Sequence, residues 1–149
     1  MQTSSAKFRI FENVSDLSQI SDAAIIRTKV FVEEQEIPAE LEFDNYDFQG
    51  THVVIYNEET PIGTGRLIFK EDKKWYIGRI AILKEWRGKS HGKKLVEEIM
   101  KLAKNKGINE IFLHSQVYAL SFYEKLGWKA FGEAFEEDGI LHKEMVANL

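Results

Sequence analysis

Between Arg87 and Lys94 the chain reads Arg-Gly-Lys-Ser-His-Gly-Lys-Lys, three residues after the apolar run Ile80-Ala81-Ile82-Leu83. Gly88, Ser90 and Gly92 leave little side-chain bulk where a strand must turn into a helix, so backbone N–H groups there can face a ligand. The first amides of a helix carry the positive end of its dipole and bind anions. Arg87, Lys89, Lys93 and Lys94 add cationic charge, which suits a diphosphate better than a carboxylate. The same residues also fit a tight turn with a solvated basic face, and both readings stay open on composition alone. Two rival phosphate motifs fail on residue identity. A P-loop requires glycine where Leu83 stands, and a dinucleotide fingerprint at Gly63-Thr64-Gly65 would need its third glycine at Ile68.

The elements around this turn follow from apolar periodicity. Phe8 to Phe11 reads as a first strand, and Ser15 or Asp16 caps a helix through Leu17, Ile20, Ala24, Ile25 and Val30 that stops near Pro38. The acidic, aromatic stretch from Glu40 to Gly50 reads as an irregular loop. Three consecutive antiparallel strands are expected over His52 to Tyr56, Ile62 to Phe69 and Trp75 to Leu83. An amphipathic helix through Leu95, Val96, Ile99, Met100, Leu102 and Ala103 ends at Gly107. A strand over Glu110 to His114, a helix over Ala119 to Leu126 and a closing strand pair, Phe131 to Phe135 and Leu141 to Val146, complete an α+β or mixed α/β fold.

The 149 residues contain 44% apolar and 30% charged side chains, enough to fill and cover one core, and no linker or repeat divides residues 1–149, so one domain is expected. A formal charge of −4 without a long basic run argues against nucleic acid as a partner. The absence of cysteine excludes a disulfide scaffold, a thiolate metal site and a Cys nucleophile. His52, His91, His114 and His142 stand far apart without ligand spacing, so no metal is expected. No stretch reaches the roughly 20 apolar residues of a membrane helix. The start lacks the apolar centre of a signal peptide, and a cytoplasmic protein is expected.

Two stretches together resemble the GCN5-related N-acetyltransferases (GNAT). Their coenzyme A motif is Arg or Gln, two residues, Gly, one residue, Gly or Ala after an apolar strand, and Arg87-Gly88-Lys89-Ser90-His91-Gly92 matches it except that Ser90 replaces a glycine. Their second element is an Asn, Ala and Tyr pattern followed by Glu-Lys-Leu-Gly and an aromatic. Here Gln116, Ala119 and Tyr123 precede Glu124-Lys125-Leu126-Gly127-Trp128, with Gln116 replacing Asn. Within the family, Val-Phe-Val-Glu-Glu-Gln-Glu-Ile-Pro and the ending Glu-Glu-Asp-Gly-Ile-Leu-His-Lys-Glu-Met look like the small bacterial ElaA and YjcF type.

The resemblance implies a central, mostly antiparallel twisted sheet of six to seven strands flanked by about four helices. It implies transfer of an acetyl group from acetyl-coenzyme A to a primary amine of a small molecule or peptide by direct attack, with no metal. Ile80, Ala81 and Ile82 would pair with the pantetheine arm, a backbone N–H near Ile82 would polarise the thioester, and Arg87, Gly88, Lys89, Ser90, His91, Gly92, Lys93 and Gln116 would hold the cofactor. Tyr123 matches the family's general acid toward the sulfur; it also fits a packing aromatic beside Phe122 and Trp128.

An amine with pKa ~10 must lose a proton before attack. His114, expected to face the gap between splayed strands, is the first candidate base. His142, Glu40, Glu42, Asp44 and Asp47 are the others. A negative field from Glu40 to Asp47 would favour a cationic acceptor. A homodimer is the expected assembly, and a non-catalytic acyl-coenzyme A sensor or interaction domain is the competing function.

Overall fold

Val53 and Ile55 point to one face of strand β2 (Thr51–Asn57) and Val54 and Tyr56 to the other, and all four are buried. A strand apolar on both faces must be covered on both, and helices do so here. In the computed structural model, which describes residues 6–149, helix α1 (Ser21–Arg27) packs over Val54 and Tyr56 through Ala23 and Ile26, joined by Ile20 just before it and Val30 just after it. Helix α4 (His91–Asn105) covers the opposite face through Leu95, Val96, Ile99 and Ala103. Each fully buried Val, Leu or Ile among them contributes about 1.5–3 kcal/mol.

The sheet has seven strands in the order β1-β2-β3-β4-β5-β7-β6. Strands β1 (Ala6–Phe11), β2, β3 (Thr60–Phe69) and β4 (Trp75–Ile82) form an antiparallel meander. Strand β5 (Glu110–Gln116) returns parallel to β4 after α4, and β7 (Ile140–Asn148) lies antiparallel to β5 with β6 (Lys129–Glu137) outside it. Helix α5 (Leu120–Glu124) follows β5. The mixed α/β architecture and the mostly antiparallel seven-stranded sheet agree with expectation. No helix among the described residues is long and apolar enough to cross a membrane.

Two local expectations fail. The helix expected through Leu17 to Val30 is three pieces, a 3-10 turn at Leu17–Ile20, α1, and a π-helical segment at Thr28–Glu34. Its buried face runs through Ala23, Ile26, Arg27 and Phe31, whereas Ile25 is 54% exposed. The 3-10 turn before α1 winds more tightly than an α-helix and so shifts the phase of every later residue, Ile25 included, and a uniform 3.6-residue pattern misplaces the inward face. The stretch read as an irregular loop contains short helices α2 (Ala39–Glu42) and α3 (Tyr46–Gln49), with Glu42 and Asp47 buried.

Candidate active site

Strands β4 and β5 pair at a single position, Tyr76 with Phe112, and then diverge toward Ile82 and Gln116. Part of the cause is a bulge in β4. Thr64 pairs with Ala81 but Arg66 pairs with Gly78, so β4 carries one extra residue, and Arg79 has φ +53°. Such a bulge bends its strand and raises local twist, which pulls β4 away from a straight parallel neighbour. Between the strand ends lies a cleft of about 1320 Å³. Ile80, Ala81 and Ile82 line one wall, with His114, Ser115 and Gln116 on the other.

At the end of β4 the chain turns through Gly88 and Ser90, both left-handed at φ +77° and +67°, into α4. Ser90 occupies a conformation glycine adopts more readily, at about 1–2 kcal/mol for a side chain bearing a Cβ. No side chain caps α4, and its first helical bond is donated by the Lys94 amide to the Ser90 carbonyl at 3.1 Å. The amides of His91, Gly92 and Lys93 therefore have no intrahelical acceptor and are free for an anion. Gly88, Ser90, His91, Gly92 and Lys93 border the cleft, while Lys89 lies outside its lining with its ammonium 5.4 Å from the Trp86 ring centre. Burial and the nearby Lys94 and Lys89 lower the His91 pKa. At Gly92 an added Cβ would stand 3.4 Å from Phe122 Cζ, so glycine here gives clearance between α4 and α5.

Two contacts absent from the sequence reading tie the diverging strands to the end of the π-helical segment. Arg87 makes paired 2.9 Å hydrogen bonds to both Glu34 carboxylate oxygens and donates from Nε to the Ile82 carbonyl at 2.8 Å. Gln116 donates to Gln35 at 2.8 Å. The sequence signal was the run Glu33-Glu34-Gln35 before Pro38, but only the folded chain brings it over the cleft.

Tyr123, on α5, is buried at 8% exposure and lines the same cleft. Its ring packs edge-on against Phe122 at 4.9 Å and Trp128 at 6.2 Å. Its hydroxyl makes no hydrogen bond among the described residues, and burial pushes its pKa well up. It remains a protonated donor at any physiological pH.

On the face opposite α4, His114 Nδ1 lies 2.9 Å from Glu137 Oε1, and His142 Nε2 lies 3.9 Å from Glu137 Oε2. The His114 ring meets Tyr76 and Phe135 edge-on at 5.6 and 5.1 Å. Hydrogen bonding to His114 holds the Glu137 carboxyl below its usual range. Glu137 went unnoticed in the sequence because nothing in its spacing from His114 marks a contact across two strands.

The acidic stretch has a different role from the one expected. Arg27 binds Glu42 at 2.8 Å and Asp47 at 2.7 Å, and Arg66 binds Asp44 at 2.7 Å and Asp47 at 2.8 Å. Arg79 completes the cluster, 3.1 Å from Glu42 and 3.5 Å from Asp44. Three arginines thus face three carboxylates, and the field expected from this stretch is largely neutralised at its source. Burial opposes ionisation of Asp47, but Arg27 and Arg66 outweigh it and hold its carboxyl at about 2. Burial wins at Glu42 and raises its pKa. Asp47 also accepts a 2.8 Å hydrogen bond from buried His52 at its backbone carbonyl. Glu42 and Asp44 reach the cleft lining, and Asp47, His52 and exposed Glu40 do not. Among the described residues no group of three or more metal-ligating side chains gathers.

Residues 16–149 match the acetyltransferase (GNAT) domain model. The uncharacterized N-acetyltransferase YjcF of Bacillus subtilis is 36% identical over 86% of this chain and 91% of its own length. ElaA of Escherichia coli shares the fold, with a TM-score of 0.85 at 22% identity over 96% of this chain and 99% of that one. So does a GNAT family acetyltransferase from Elizabethkingia anophelis with acetyl-CoA bound, with a TM-score of 0.71 at 17% identity over 97% and 98%. The divergent β4 and β5, the uncapped α4 beside them and a domain match over nearly the whole chain lead to one assignment: the chain belongs to the GNAT family of acetyltransferases.

Proposed function

We propose that the protein transfers an acetyl group from acetyl-coenzyme A to a primary amine of a small molecule or peptide by direct attack. The observation that carries this reading is the opening between β4 and β5 beside three unpaired amides at the start of α4. A diphosphate at those amides, with Lys93 and Lys94 nearby, leaves the extended pantetheine arm to run into the opening. There the edge of Ile80 to Ile82 that β5 leaves unpaired offers backbone groups to the arm, and an N–H near Ile82 can polarise the thioester oxygen. The amine nitrogen attacks the carbonyl carbon, the C–N bond forms, the C–S bond breaks, and the thiolate takes a proton from Tyr123.

Tyr123 is a weak acid in this setting, but the same dry surroundings raise the basicity of the departing thiolate. A free phenol at ~10 against a thiol at ~8.5 is an uphill transfer, and shared desolvation keeps the two comparable. On the acceptor side His114 accepts the ammonium proton. A cationic acceptor is supported by Glu137 rather than by the acidic stretch, whose charges are paired internally. Incubation with acetyl-coenzyme A and a panel of polyamines, amino sugars and lysine peptides, with free thiol measured, tests the reading. Thiol release with at least one amine, above donor hydrolysis, is expected. Release with none would overturn catalysis and favour a sensor.

A further inference from the structure

Glu137 ends β6, the outer strand of the sheet, yet its carboxylate reaches past β7 to His114 on β5. The reach comes from β6 itself. Phe131 pairs with Glu144 and Phe135 with His142, so β6 spends two extra residues against β7, with Gly132 left-handed at φ +74°. This bulge carries Phe135 and Glu137 inward over β7, where Phe135 closes one side of the His114 ring and Tyr76 another.

We propose that Glu137 is the positioning residue that holds His114 ready to take the proton from the attacking amine. The inference rests on the acetyl-transfer reading above. An ionised carboxylate only accepts hydrogen bonds, so at 2.9 Å His114 Nδ1 must carry the hydrogen. In the neutral ring the lone pair then lies on Nε2, the nitrogen a base uses. The second carboxylate oxygen faces His142 Nε2 at 3.9 Å, and His142 Nδ1 donates to the Ile140 carbonyl at 2.7 Å. One carboxylate thus serves two imidazoles, and the one fixed by a direct hydrogen bond is His114.

The proton balance is simple. The ammonium of the acceptor gives its proton to His114 Nε2, and the imidazolium keeps its Nδ1–H on Glu137. The neutral amine then attacks, the departing thiolate takes its proton from Tyr123, and the second proton lost by the new amide nitrogen returns through solvent to the Tyr123 phenolate, so the one net proton released is the one His114 carries off. Other groups facing this pair are Glu144, whose Oε2 stands 3.9 Å from His114 Nε2, His142 from β7, the Tyr76 hydroxyl, which donates to Asp72, and Lys70, whose ammonium lies 4.6 Å from the Tyr76 ring centre. Glu144 also favours the imidazolium, but at 3.9 Å it does not fix the tautomer.

The test compares wild type with Glu137→Gln, Glu137→Asp and Glu144→Gln, using the best amine found. Glu137→Gln removes the negative charge beside the ring, so the rising limb of kcat/KM against pH moves to lower pH. Its kcat falls about tenfold or more while Kd for acetyl-coenzyme A holds, and Glu137→Asp recovers part of the loss. Nitrogen chemical shifts of His114 report Nδ1–H in wild type and a tautomer mixture in Glu137→Gln, a readout that needs no turnover. Turnover in wild type with an unchanged profile and tautomer in Glu137→Gln overturns this inference alone. A shifted limb only in Glu144→Gln also overturns it. An absence of turnover in wild type with every amine overturns the acetyl-transfer reading and the base role together.

Discussion

Gln116 at the end of β5 donates to Gln35 Oε1 at 2.8 Å, joining residues 81 positions apart across the mouth of the cleft. With Arg87, beyond the end of β4, bound to both Glu34 and the Ile82 carbonyl, adjacent residues of one segment hold both diverging strand ends. The opening is therefore braced as well as bent. A neutral hydrogen bond of this kind contributes about 0.5–1.5 kcal/mol.

Gln116→Ala removes one brace, and Kd for acetyl-coenzyme A is expected to rise up to about tenfold, in line with that energy. Titration calorimetry checks it. Unchanged Kd would mean that the mouth holds its shape without Gln116.

Tyr123→Phe keeps the ring that packs on Phe122 and Trp128 and removes only the hydroxyl. Steady-state kinetics should show kcat lowered by about 10²-fold or more, the usual scale for a lost general acid, with Kd for acetyl-coenzyme A unchanged. An unaltered kcat would leave Tyr123 a packing residue.

How far the chain could be read without its structure depends on whether the deciding contact is local. The turn at Arg87 to Gly92, the meander β2 to β4 and the inward face of α4 rest on short-range spacing, and the sequence carries that spacing directly. The bulge at Arg79 does not, because a non-glycine residue with positive φ is imposed by pairing across β3 and β4. The acidic stretch looked like a charged surface because its partners Arg27, Arg66 and Arg79 come from three other elements. Glu137 was invisible for the same reason, since a bulged edge strand carries it to His114.

Asp47 ties the charge cluster to pH. Its carboxyl is held at about 2, below the ordinary 3.8, so it stabilises the fold above pH ~4, and that contribution is lost as pH falls toward ~2. That contribution is on the order of 2–3 kcal/mol. Glu42 moves the other way, so protonating it as pH falls offsets part of the loss. Asp47→Asn leaves Arg27 and Arg66 short of a buried counter-charge and should cost about 3–5 kcal/mol in urea melts at pH 7. The gap to wild type should narrow at pH 3, and a constant gap would mean that Asp47 charge is not what holds the cluster.

Gly92 separates binding from packing. A Cβ there would stand 3.4 Å from Phe122, an ordinary contact, so Gly92→Ala is accommodated, whereas the branched side chain of Gly92→Val is expected to cost about 1–3 kcal/mol and to weaken acetyl-coenzyme A binding by displacing α5 from α4. Thermal melts and titration on both variants check this. A stable Gly92→Val with full affinity would show that the clearance is unused.

Titration calorimetry of the wild-type protein with acetyl-coenzyme A, against coenzyme A, ATP and NAD at matched ionic strength, tests the proposed donor site most directly. Saturable micromolar binding that favours acetyl-coenzyme A over ATP and NAD is expected, because the opening between β4 and β5 accepts an extended arm that those nucleotides lack. Equal or absent binding of all four would contradict it.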